Sequence, residues 1–133
     1  MPERMEYSRF TLLDLTGVEI DRQPRVPVFH GATSHGRSVN VMDEPSAQAW
    51  YQDWFAGNDV EWTCWTNEVH IVLGGAAEIT YWNPPTWEDT GTVQVRAGSI
   101  YLIPLGCKFH VCVTSEDPLR HVVVDFPNPG FPA

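Results

Sequence analysis

Glu68 and His70 stand two residues apart in the run Asn67-Glu68-Val69-His70-Ile71-Val72-Leu73, whose β-branched and apolar residues predict a strand. Side chains alternate between the faces of a strand, so the carboxylate and the imidazole share a face, with Cys64, Thr66 and Val72 beside them if the strand is continuous. A second imidazole, His110, shares one face of the stretch 108–113 with Cys112, while Phe109 and Val111 take the other. Carboxylate, imidazole and thiolate are the side chains that hold transition metals. Each also has a plainer reading. His70 could be a hydrogen-bonded core histidine, and Cys64 and Cys112 small buried apolar residues. A carboxylate inside a β protein is costly unless paired, so Glu68 needs a cation, a metal or a hydrogen-bond network. His30 and His35 flank a glycine-bearing turn and are expected in solvent. His121, on one face with Val123 and Asp125, is expected at the surface in preference to a place beside the site.

The elements that must position these groups are short and numerous. Eleven prolines and ten glycines are spread along the chain, punctuating runs rich in Val, Ile, Thr and aromatic residues. Strands are predicted over 10–15, 26–29, 38–42, 61–66, 69–73, 76–82, 92–96, 99–103, 108–113 and 120–126. Their even spacing fits an all-β sandwich or barrel. Residues 83–91 carry Asn83-Pro84-Pro85-Thr86 and Asp89-Thr90-Gly91 and predict a long hairpin loop. The stretch 45–55 fits either a short helix capped by Ser46, with Trp50 and Trp54 at i, i+4, or a strand with Trp50, Gln52 and Trp54 on one face.

With 133 residues the chain is one domain's length. Seventeen acidic against eight basic residues give a net charge of −9, which disfavours nucleic acid and anionic membranes as partners. Apolar residues make up 43 %, too many for a disordered chain, yet no run approaches the roughly 20 needed to cross a bilayer. The three cysteines, with no C-x-x-C pair, are expected reduced. The N-terminus does not look like a secretory signal, so a cytoplasmic location is expected. P-loop, G-x-S-x-G and H-E-x-x-H patterns are absent.

Two segments resemble the paired motifs of the cupin superfamily. Asn67-Glu68-Val69-His70-Ile71-Val72-Leu73-Gly74-Gly75 is similar to the second half of the first motif, and Gly98 with Pro104, Gly106 and His110 is similar to the second. Trp62 and Cys64 stand where the first motif usually has two histidines. Trp62-Thr63-Cys64-Trp65-Thr66-Asn67-Glu68-Val69-His70 follows the spacing of the ethanolamine-utilisation Q-type branch, with imidazoles at His70 and His110 in place of that branch's acidic residues.

The resemblance covers roughly 38–131 and implies a single-domain antiparallel jelly-roll β-barrel over 1–133, with N-terminal strands in 1–37 and the motif-bearing barrel after them. It implies that 45–57 forms a strand, and that the molecule is a homodimer. It also implies a facial metal set of Glu68, His70 and His110 inside the barrel, with Cys64 as a further candidate ligand. Two imidazoles and a carboxylate suit Fe(II), Mn, Ni or Zn, and a Cys64 thiolate would favour zinc or a softer metal. An outward-facing His110 is the alternative, since it lies one residue beyond the commonest motif spacing. Trp62 would wall the cavity against a planar substrate, and Tyr101, if inward, is a candidate general acid or base. The expected activity is a metal-dependent dioxygenase or a lyase/isomerase on a small aromatic or enolisable molecule. The alternatives are a metal-free ligand-binding or accessory protein and a polyketide-cyclase-like protein.

Overall fold

The computed structural model describes residues 7–28, 34–57 and 59–127. Ten strands follow one another in these residues: β1 (Val26–Pro27), β2 (His35–Glu44), β3 (Ala47–Trp54), β4 (Asp59–Thr63), β5 (Asn67–Gly74), β6 (Ala76–Trp82), β7 (Thr90–Arg96), β8 (Ile100–Ile103), β9 (Lys108–Val113) and β10 (Leu119–Phe126). They form two antiparallel sheets, ordered β1-β2-β3-β10-β5-β8 and β4-β9-β6-β7, packed as a jelly roll. Among the described residues no helix is long and apolar enough to cross a membrane.

The side-chain alternation of β9 shows how the sequence builds the core. Phe109, Val111 and Val113 point inward and are buried, while Lys108, His110 and Cys112 face the other way. Ala77 and Ile79 of β6 and Val95 of β7 join them, and meet Trp54, Val72, Ile103 and Leu119 of the larger sheet. Ala47–Trp54 is a strand, with Trp50, Gln52 and Trp54 on the inner face. The hairpin loop lies where the turn residues predict it, between β6 and β7, and Trp87 Nε1 donates to the Gly106 carbonyl at 2.9 Å. At the β5–β6 turn Gly75 has φ of +76° and a Cβ there would run into the Pro118 carbonyl, so only glycine fits.

One expected strand is absent. Residues 10–15 join no ladder. Leu13 and Leu15, with Val18 and Ile20, instead lie flat on the outer face of the larger sheet, against Ala49, Tyr51, Ile71, Val122 and Val124. Their alternation reflects one-sided burial without strand pairing. The 3-10 turn Ile20–Arg22 is tied down through Asp21, whose Oδ1 accepts from Arg37 at 3.0 Å and from Arg120 at 2.6 Å. Both arginines also donate to the fully buried Asp53, Arg120 through two bonds of 2.8 Å and Arg37 through one of 2.8 Å. Burial alone would raise the Asp53 carboxyl, but the paired guanidinium groups outweigh it and hold the group below the usual carboxylate range. Of the histidines at the glycine-bearing turn, His35 is exposed and His30 lies outside the described residues.

Candidate active site inside the barrel

The inner faces of β3, β5 and β10 enclose a cavity of about 380 Å³ whose wall includes Trp50, Gln52, Trp54, Trp62, Glu68, His70 and Asp125. Glu68 and His70 share the inner face of β5, as the two-residue spacing requires. Cys64 does not continue their strand, because the chain crosses between the sheets after β4, but it also turns inward and is buried. Trp62 packs edge-on against Trp54 and Phe109 and forms part of the cavity wall.

A hydrogen-bonded chain runs through this cluster. Glu68 Oε1 and His70 Nε2 are 2.8 Å apart, with the His70 side chain 1 % exposed and that of Glu68 17 %. Tyr101 Oη lies 3.2 Å from His70 Nδ1. Burial, and then the charge of Glu68, push the Tyr101 phenol up and keep it protonated, so its O–H donates to Nδ1. His70 Nε2–H therefore donates to the carboxylate, which fixes the tautomer. Glu68 has the network that its burial demands. Burial, and then the Glu68 charge, push the Cys64 thiol up too, which favours its protonated form.

His121 corrects the expectation of a surface residue. It is fully buried, and its ring stacks on that of His70 at 5.5 Å and 8°. Burial, and then His70, lower its pKa to about 3, so it is neutral. Its Nδ1 is 3.2 Å from the Leu119 carbonyl and must donate there, and its Nε2 is 3.2 Å from Gln52 Oε1. A neutral ring with Nδ1–H has only an acceptor at Nε2, so it pairs with Gln52 once the side-chain amide is turned over to present its NH₂ group. Asp125 lies at the mouth, bonded to Thr66. Burial raises its carboxyl, and the Glu68 charge adds to the shift. Gln52 and Asp125 were not singled out from sequence as site residues, although Gln52 lies between two tryptophans on the inner face.

The expected metal set does not assemble. His110 lies on the outer face of β9, across from Glu61 and beside Asp59 and Cys112, because the apolar residues of β9 claim the inner face. Glu68 and His70 converge without it. Inside the barrel Glu68 and His70 have adjacent heads, but among the described residues neither Cys64, His121 nor Asp125 brings a third donor atom within reach of both. That falls short of the three ligands an open catalytic site uses, so the residues present do not fit a resident metal. Among the described residues, three candidate ligand atoms lie close together only at Asp59, His110 and Cys112, outside the barrel. Tyr101 faces inward, but it stands behind His70 and lines a second cavity of about 340 Å³ with Ile79, Val93 and Phe109.

No protein-family model matches the chain, and no curated protein does either. Solved structures do. The EutQ protein of Clostridium difficile superposes with a TM-score of 0.64 at 18 % identity, over 85 % of this chain and 83 % of that one. The cupin domain of Schizosaccharomyces pombe Cnp3 superposes with a TM-score of 0.64 at 13 % identity, over 95 % and 90 %. The Fe(II) form of HppE does so with a TM-score of 0.61 at 15 % identity, over 84 % and 61 %. Two antiparallel sheets in jelly-roll order, closing around an inward Glu68–His70 pair, and these neighbours together show that the chain has the cupin fold.

Proposed function

We propose that the barrel is an active site for a small, planar, enolisable organic molecule and works by proton transfer, as a lyase or isomerase. The observation that carries this reading is the Glu68–His70–Tyr101 chain at a cavity walled by Trp50, Trp54 and Trp62. Of the two groups on the cavity wall, Glu68 is the more exposed, 17 % against 1 % for His70, so the carboxylate is the base that touches substrate. His70 and Tyr101 position it. The carboxylate takes a proton from the carbon beside a carbonyl, and the resulting enolate is reprotonated at another carbon or expels a leaving group. The Gln52 amide and Ser38 hydroxyl, both on the cavity wall, are the neutral groups available to the substrate oxygen. A metal-dependent dioxygenase needs a redox metal, and the interior donor set gives that reading no support.

A second reading, a metal-free binding or accessory protein, is supported by the likeness of fold to the C. difficile EutQ protein. Three unpaired cysteines support a reducing, cytoplasmic setting. The exposed Ile100 and Leu102 on the outer face of β8 support a homodimer, which sedimentation would test. Deuterium uptake from D₂O into a panel of keto acids and aromatic ketones separates catalysis from binding. Catalysed exchange that survives EDTA and falls by about 100-fold or more in Glu68→Gln is expected. Exchange indifferent to Glu68→Gln, or none across the panel, overturns the proposal.

A further inference from the structure

We infer that the outer face of the smaller sheet carries a binding site for a divalent cation of zinc type, held by Asp59, His110 and Cys112. The site follows from the β4–β9 register, which sets Asp59 directly across from Cys112 and Glu61 across from His110. Phe109, Val111 and Val113 take the inner face of β9, so His110 and Cys112 are driven together on the outer one. Cys112 Sγ is 3.9 Å from His110 Nε2 and 3.9 Å from Asp59 Oδ1, and the last two atoms are in contact with each other. Zn–S of about 2.3 Å and Zn–N of about 2.0 Å at a tetrahedral angle place the two ligand atoms about 3.5 Å apart. The thiol and imidazole are within a few tenths of an ångström of that spacing, and a cation would enter by opening the His110–Asp59 contact.

The ligand types choose the ion. A thiolate with an imidazole and a carboxylate selects zinc or cobalt over magnesium and calcium, which prefer oxygen alone. Glu61 pairs with Lys108 at 3.5 Å, which leaves the fourth position to water or a ligand. Binding is balanced by one proton, lost from the Cys112 thiol to solvent. β9 lies between β4 and β6, so two of the three ligands sit on a strand paired on both sides, a rigid platform. The net charge of −9 raises the local concentration of cations. The site is independent of the chemistry inside the barrel, because it occupies the opposite face of the sheet.

Titration of the untagged full chain with Co²⁺ under a non-thiol reductant tests it. One equivalent should produce a thiolate-to-cobalt charge-transfer band, with Zn²⁺ displacing the cobalt and shielding Cys112 from a thiol reagent. Cys112→Ser should abolish the band, His110→Ala should weaken binding by about 10-fold or more, and Cys64→Ser should change nothing. Circular dichroism confirms that each variant is folded. A folded chain without the band, a band that survives Cys112→Ser, or affinity unchanged in His110→Ala overturns the inference.

Discussion

Acidification should unfold this protein through a single buried imidazole. His121 is fully buried and its pKa is lowered to about 3 by desolvation and by His70, against about 6.5 in the unfolded chain. Between those values the unfolded state binds the proton and the native state does not, so stability rises with pH across the window and is lost on going down through it. From pH 7 to pH 5 the loss assigned to His121 is about 2 kcal/mol, at about 1.4 kcal/mol per pH unit below 6.5. Over the whole window it reaches about 5 kcal/mol, comparable with the total stability of a small domain. Urea denaturation of wild type and His121→Gln at the two pH values measures it. The variant should be less stable at pH 7 and should show about 2 kcal/mol less pH dependence between 7 and 5. Equal pH dependence in the two proteins would mean that His121 titrates normally and that its buried, neutral state is wrong.

Two further substitutions test the packing. Asp53→Asn leaves Arg37 and Arg120 without their shared buried partner, and should cost about 3–5 kcal/mol by chemical denaturation, while loosening residues 7–25 to limited proteolysis. Neighbouring positions on β9 should diverge: Phe109→Ala, on the inner face, should lose about 3–5 kcal/mol, and His110→Ala, on the outer face, should stay within about 0.5 kcal/mol of wild type. Equal losses at the two would contradict the assigned faces of that strand.

Much of the fold is legible in local alternation. The bounds 76–82 and 108–113 coincide with β6 and β9, because each has one apolar and one polar face and neighbouring turn residues to end it. Glu68 and His70 are brought together for the same reason. The face of His110 was legible too, since Phe109, Val111 and Val113 demand the inside. The motif resemblance pointed inward, but His110 lies one residue beyond the commonest motif spacing, and in a strand a displacement of one residue reverses the face. His121 was not legible. Its strand, β10, pairs on both sides and is covered on its outer face by the residues around Leu13, Leu15 and Ile20, so Val122, Val123 and Val124 are apolar in succession and alternation carries no signal. The same covering segment mimics a strand in sequence because it too buries every second side chain.

A long-range ¹H–¹⁵N spectrum of the histidine side chains, recorded while Zn²⁺ is added, most directly tests the division of labour between the two faces of the barrel. His70 should show Nε2–H with Nδ1 as acceptor and should not move at one equivalent of zinc, while the His110 resonances shift. If His70 instead moves with the first equivalent and His110 stays in place, the interior is a metal centre and the proton-transfer account fails.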